Sequence, residues 1–552
     1  MNENWPYIKE NIKRFPEYKS SIFEQGFLIT NQNLTIGGAF PFFGNWRKES
    51  LSDSFHIWLH CRQKLYTTEK NGITYFLIGH AYNPFSNQAD EIDILRTLAE
   101  QSQGSFELGL QTINNLTGLF VLGMIAGERM TFCGDFESMR TAYYGNIDGH
   151  FYLCSHEELV SLFEQLHRDD YVTKLEHYRW YHLYGEGLPG DISHYHELKK
   201  LICNNYVIYS DGKFKTVRIW PRKSLHMCAD EEEYRKTVHQ IAETMKSTLG
   251  LIAQKWARPA VSVTGGRDSK GSLAASIHVK EKYQYFSYNS QPAEKVDCDA
   301  AEMICKAVGV PHITYEIPLD KSVYPEYDLV RAILCVNSNR RYFNHNDIMK
   351  RIYLRKANPF DVEAKSWTSE IGRAFYYKRY GVRRMQKKCT ARRVNAMNNI
   401  FLMNPALMYA TDARYREYLR STAYNEHILH DGICPGSLVE KHFVIFLSVN
   451  IKLIAGFGDK NGFLKVQTVK PSVIDSQLCS SSAVKRVEKL GVFKKHCFLV
   501  LSACYGIVNI RELEALGIFV LAHTENAVVI NGGNGNTILY ALWYYKLFFV
   551  LL

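Results

Sequence analysis

Val263-Thr264-Gly265-Gly266-Arg267-Asp268-Ser269 stands between two stretches of different rhythm. Before it, Ala260-Val261-Ser262-Val263 has the short apolar, β-branched run of a buried strand. After it, the residues through Leu273-Ala274-Ala275-Ser276-Ile277 read as a helix. Two glycines at such a junction let the backbone approach a bound anion, and the first turn of the helix offers N–H groups and a favourable dipole. Thr264 and Ser269 add hydroxyl donors for phosphate oxygens, and Lys270 adds charge. Asp268 is out of place beside phosphate unless a Mg2+ ion bridges the two, which is the ligation this ion favours. The plain alternative is a strand-to-helix turn with Asp268 as its cap. The Walker spacing G-x-x-x-x-G-K-[ST] and the Rossmann spacing G-x-G-x-x-G do not describe the loop.

Downstream, Tyr283-Gln284-Tyr285-Phe286-Ser287-Tyr288 predicts a second strand, residues 300–308 a helix, and His312-Ile313-Thr314-Tyr315-Glu316-Ile317 a third strand. Alternation of strands and helices implies a parallel sheet with right-handed crossovers. Upstream, Asp230-Glu231-Glu232-Glu233 opens a helix towards Leu251. Residues 20–220 differ: short strands such as Thr74-Tyr75-Phe76-Leu77-Ile78 alternate with turn signals at Asn71-Gly72 and Asp148-Gly149. Asp90-Glu91-Ile92-Asp93 begins a helix among them. The expected fold class is therefore α/β and α+β multidomain. A β-sandwich flanked by helices spans 1–225, a parallel-sheet domain 226–430, and a small α/β tail 431–552.

The chain has 552 residues, a formal charge of +10 and 46% apolar residues, which fits folded domains rather than disorder. Much of the charge lies in residues 378–393, either a solvated face or a site for a polyanion or substrate phosphates. No specific nucleic-acid partner follows from it. The 13 cysteines show neither CxxC pairs nor zinc spacing, as expected of reduced thiols in a cytoplasmic protein. The polar start at Met1-Asn2-Glu3-Asn4 has no signal peptide, and the apolar run 538–552, broken by Lys546, is too short for a membrane span.

The glycine loop resembles the S-G-G-x-D-S pyrophosphate loop of asparagine synthetase and its ATP-pyrophosphatase relatives. Ser366-Trp367-Thr368-Ser369-Glu370-Ile371-Gly372-Arg373 is similar to the family's second acidic motif, and Phe286-Ser287 falls where the family lines its adenine pocket. The resemblance implies that Val263, Thr264, Gly265, Gly266, Asp268, Ser269, Phe286 and Ser287 bind ATP. Asp268 and Glu370 would hold Mg2+ and carry catalysis. The front half looks like a class II glutamine amidotransferase domain. Gly79-His80-Ala81-Tyr82-Asn83 with Asp90-Glu91 is similar to N-G-E-I-Y-N … D-T-E. Residues 134–144 are similar to R-D-x-x-G-x-x-P-L-Y-Y, and Ser155-His156-Glu157 to the S-E that follows.

The implied activity is adenylation of a substrate carboxylate followed by amide formation with an amine; a homodimer is left open. Glutamine hydrolysis in this family needs a cysteine at the mature N-terminus. Here Asn2 follows Met1 and Cys61 lies deep in the chain, so the front domain is expected to be glutaminase-dead, as in β-lactam synthetase. The lysine-bearing region that the family carries after the helical half is missing beyond about residue 425. Residues 452–535 are instead similar to the nucleotide-sugar half of a GT-B glycosyltransferase, with Glu514 matched but Gly506 standing where a first glutamate belongs. A non-catalytic nucleotide-binding homologue, and a hybrid enzyme of surface-polysaccharide assembly, are the alternative readings.

Overall fold

The computed structural model describes residues 3–136, 138–178, 181–182, 186–188, 190–219, 230–341, 343–365 and 413, with the backbone of 527–531 and 537–541. They belong to two compact units, one of residues 1–261, 271–284 and 316–456, the other of 262–270, 285–315 and 457–552.

In the first unit, β1 (Phe27–Thr30), β2 (Trp46–Ser50), β3 (His56–His60), β4 (Leu65–Lys70), β5 (Ile73–Tyr82) and β6 (Thr117–Ala126) come first. They are followed by β7 (Arg129–Gly134), β8 (Tyr143–Ile147), β9 (His150–Cys154), β10 (Lys199–Lys200), β11 (Asn205–Ser210) and β12 (Lys213–Arg218). They make two six-stranded sheets, of order β10-β8-β9-β1-β3-β2 and β12-β11-β7-β6-β5-β4. Every pairing in both is antiparallel.

Side chains along a strand alternate between faces, and the alternation here builds three cores. Phe27, Ile29, Leu59, Phe151 and Leu153 of one sheet meet Phe76, Ile78, Val121, Phe132 and Val207 of the other. On the far side of the second sheet, Tyr75, Leu77, Phe120 and Leu122 pack on Ile94, Leu95 and Leu98 of one helix and Ile113 of another. On the far side of the first, Leu28, Trp58, Tyr152 and Cys154 are covered by Trp5, Ile8, Leu159, Ile333, Val336, Ile348 and Ile352. The helices are α1 (Asn4–Asn11), α2 (Glu91–Ser102), α3 (Leu110–Ile113), α4 (Glu157–Val160), α5 (Asp170–Glu176), α6 (Glu231–Lys255), α7 (Arg267–Ser276), α8 (Pro292–Ala307), α9 (Tyr327–Ser338) and α10 (His345–Ala357). Helix, sheet, sheet and helix thus form four layers, as the strand-and-turn pattern predicts. The outer layer on the first sheet includes α9 and α10, contributed from some three hundred residues further along the chain.

Local chemistry explains the joints. Asn71 and Gly72 have φ of +55° and +70°, and Asp148 and Gly149 +50° and +87°. These values suit the type I′ hairpins whose twist matches the flanking strands. Asp90 caps α2 by accepting the Ile92 and Asp93 N–H groups at 2.8 and 3.1 Å. Gly79, at φ +110°, lies so close to β6 that a Cβ there would sit 2.1 Å from the Leu119 carbonyl oxygen. Gly79→Ala is expected to destabilise the first unit by about 2–4 kcal/mol through backbone strain and overpacking. Urea denaturation measures this, and an unchanged midpoint would contradict it.

Four strands follow: β13 (Pro259–Ser262), β14 (Gln284–Asn289), β15 (His312–Glu316) and β16 (Val362–Ala364). In the first unit β13 and β16 pair in parallel, Ala260 opposite Glu363. The second unit holds most of β14 and β15, which are neighbours joined by α8. Helix α8 begins at Pro292, a residue suited to a first helical turn, eight positions before the expected Ala300. In the tail, β17 (Ala527–Asn531) and β18 (Thr537–Ala541) form an antiparallel hairpin; Gly506 and Glu514 lie outside the described residues. Among the described residues no helix is long and apolar enough to cross a membrane, and the seven described cysteines form no disulfide.

Candidate functional site

Val263 extends the line of β13 by one residue, its N–H donating to the Phe286 carbonyl at 2.8 Å. The chain then leaves the sheet, turns through Gly265 and Gly266, and enters α7 at Arg267. The turn is held by its own hydroxyls. The Thr264 N–H donates to Ser269 Oγ at 3.0 Å, and the Gly266 N–H to Thr264 Oγ1 at 3.0 Å. The two hydroxyl oxygens are 3.1 Å apart, and Ser269 Oγ lies 3.1 Å from the Thr264 carbonyl and 3.2 Å from that of Gly266. Hydroxyls predicted to meet phosphate thus bond to the loop itself, where they cap donors that an anion would otherwise satisfy. Gly266 is exposed and the other residues of the loop from Thr264 to Lys270 are half-buried. Asp268 stands in the first turn of α7, where the helix dipole favours a carboxylate.

The strand residues beside the loop point inward. Phe286 is buried, with Tyr288 and Tyr315 rings edge-on at 5.0 and 5.6 Å. Ser287 is buried too, and its hydroxyl donates to the Val263 carbonyl at 2.6 Å with His312 Nε2 2.9 Å away. The structure therefore brings Val263, Thr264, Gly265, Gly266, Asp268, Ser269, Phe286 and Ser287 together at one corner. Glu370 lies outside the described residues. Among the described residues no group of three His, Cys, Asp or Glu side chains could hold a metal ion unaided. A Mg2+ ion needs only one or two carboxylates when substrate phosphates and water complete its shell, so Asp268 beside the loop fits that role.

The head of β1 is closed. Gly26 donates its N–H to the Phe23 carbonyl at 2.8 Å and accepts the His60 N–H at 2.9 Å. A Cβ on Gly26 would lie 2.8 Å from Trp46. The residues before it are tied to the outer helices: Tyr18 donates to Glu326 at 3.2 Å, Phe23 N–H to Asn337 Oδ1 at 2.9 Å, and Arg355 to Glu24 at 3.0 Å. Arg140 donates to the Gln25 carbonyl and to Gln63. Ser155 Oγ accepts the Phe27 N–H at 2.9 Å with His156 Nδ1 at 2.7 Å. Burial drives the His156 pKa down to about 3 and that of His60 to about 4, so both rings are neutral.

The acidic motif Asp90-Glu91 is likewise part of the scaffold. Glu91, 2% exposed, accepts from Lys255 at the end of α6 and from the Ala81 N–H at 3.2 Å, with His80 Nδ1 at 3.5 Å. Lys255 also donates to the Ala89 carbonyl at 2.9 Å and lies over the Tyr82 ring, while Trp256 Nε1 donates to Tyr82 at 2.6 Å. Sequence reasoning missed Lys255 and His312. A lysine closing an amphipathic helix and a histidine on a strand carry no local mark, and their partners are 164 and 25 residues away.

No family model matches the chain, and no curated protein does. Among solved structures, glutamine phosphoribosylpyrophosphate amidotransferase from B. subtilis complexed with ADP and GMP is similar at 10% identity and a TM-score of 0.22, covering 61% of this chain and 91% of that one. A structure titled the allosteric regulatory enzyme of purine biosynthesis is similar at 9% identity and a TM-score of 0.24, covering 60% and 94%. TM-scores this low establish neither fold nor chemistry.

Proposed function

We propose that the chain is an ATP-dependent, amide-forming ligase of the asparagine synthetase type, working without glutamine hydrolysis. The observation that carries this reading is the corner at Thr264–Ser269. A buried strand ends there in two glycines, two hydroxyls sit against loop N–H groups, and a carboxylate stands in the first turn of the following helix. Phosphate oxygens can take over the acceptor roles that the hydroxyls of Thr264 and Ser269 now fill, freeing both as donors. Asp268 would hold Mg2+, which when bound supplies charge neutralisation, and Glu370 is its expected partner. A substrate carboxylate would attack the α-phosphorus, pyrophosphate would depart, and an amine would then displace AMP. Such a reaction depends on positioning and preorganised charge rather than on an acid–base residue.

The front domain, an Ntn-type sandwich in this reading, acts as scaffold. His60 and His156, which lie near its first strand, are held neutral by burial.

Mg-ATP is expected to raise the melting temperature of the full chain, because a ligand at about 100 times its Kd stabilises the native state by about 2.7 kcal/mol. No shift with millimolar Mg-ATP would count against nucleotide binding. The closed hydroxyl network favours one rival, a homologue that binds nucleotide without turnover. A thermal shift without pyrophosphate release from any carboxylate and amine pair would select that rival.

A further inference from the structure

The loop's geometry is set from behind by side chains that never reach its surface. Ser287 has one hydroxyl proton, and the 2.6 Å approach to the Val263 carbonyl commits it there. The contact at 2.9 Å with His312 Nε2 must then run the other way, the ring donating to Ser287 Oγ. Burial lowers the His312 pKa, with Glu302 opposing, and a neutral ring donates through Nε2 only as that tautomer. The Val263–Thr264 peptide is planar, so holding its carbonyl also aims its N–H. That N–H is the one that meets Ser269 Oγ at 3.0 Å. One directed series thus runs from the His312 ring through Ser287 and the Val263–Thr264 peptide to the Ser269 hydroxyl.

We propose that His312 is a positioning residue for the phosphate loop, fixing through Ser287 the peptide plane from which Thr264 N–H and the Ser269 hydroxyl are presented to the pyrophosphate of a nucleoside triphosphate. The role rests on the nucleotide reading above. It assigns Ser287 to the support of the loop rather than to the base, and it explains why a hydroxyl occupies a buried strand position where an apolar side chain would pack more simply.

Two readouts on the full chain separate this role from a merely structural one: hydrogen exchange at the Thr264 amide without nucleotide, and the Kd for Mg-ATP by calorimetry. Ser287→Ala and His312→Leu are expected to speed Thr264 exchange about tenfold and to weaken Mg-ATP about tenfold. The double variant should be no worse than Ser287→Ala alone, because one series is broken only once. His312→Gln, which carries an N–H donor at the same reach, should restore both quantities to near wild type. Asp268→Ala should weaken Mg-ATP and leave Thr264 exchange unchanged. Unchanged Thr264 exchange in both single variants, or His312→Gln behaving like His312→Leu, would overturn the relay while leaving nucleotide binding intact. A wild-type chain that binds no Mg-ATP would overturn the nucleotide reading, and the positioning role with it.

Discussion

Lys255→Met will cost the first unit about 3–5 kcal/mol, the penalty for leaving one member of a buried ion pair uncompensated. Glu91 lies almost wholly out of solvent, and Lys255 is its one lysine or arginine partner among the described residues. Burial alone would raise the Glu91 pKa, but the bonds from His80, Lys255 and the Ala81 N–H outweigh it and hold the carboxyl below its usual 4.5. Burial also draws down the pKa of Lys255 against the pull of Glu91; the donors converging on the carboxylate decide the charge state, and both groups are ionised near neutrality. The pH dependence follows from the sign. A carboxyl whose folded pKa is depressed contributes stability above about pH 4.5 and loses it as pH falls through the lower folded value. In the methionine variant burial acts with less opposition, the folded pKa rises, and protonation relieves the damage. The gap between variant and wild type in urea midpoint should therefore be widest near pH 7 and narrow below pH 5. A gap that stays the same from pH 7 to below pH 5 would show that Lys255 acts through packing alone. Glu91→Gln combined with Lys255→Met should regain most of the loss, because no buried charge remains.

Asp268→Ala will reduce pyrophosphate release at least a hundredfold, the scale on which one preorganised electrostatic group contributes to a transition state. The carboxylate stands in the first turn of α7, two residues after Gly266, and on the proposed reading it would share a magnesium ion with phosphate oxygens. Stability should change little, since a half-buried carboxylate at a helix start is worth about 0.3–1 kcal/mol. A variant that melts with the wild type and releases pyrophosphate at the same rate would remove Asp268 from the chemistry and return it to the role of helix cap.

The parts of the molecule that were legible are those whose cause is local. Asn71-Gly72 and Asp148-Gly149 announce their hairpins because few other residue pairs accept two positive φ values in succession. Asp90 announces α2 by its capping side chain, and the glycine loop announces its strand and helix. Pro292, suited to a first helical turn, starts α8 eight residues before the expected Ala300. What stayed hidden depends on partners far along the chain. Asp90-Glu91 matches a family pattern, yet nothing local shows that Glu91 accepts from Lys255, 164 residues further on. Ser287 fits a base-lining position, and only the placing of β15 beside β14 shows it bonded to His312. The helices α9 and α10 read as part of the second half, while their apolar faces cover Leu28, Trp58 and Tyr152 of the first.

That last arrangement bears on how the protein is made. Tyr18 leaves the ribosome 308 residues ahead of Glu326, its hydrogen-bond partner. At elongation speeds of about 5–20 residues per second, Tyr18 waits for roughly 15–60 seconds before Glu326 is synthesised. The start of the polypeptide is thus completed only by residues translated long after it, and Trp5, Ile8 and Tyr18 reach their final packing only once α9 and α10 have been made.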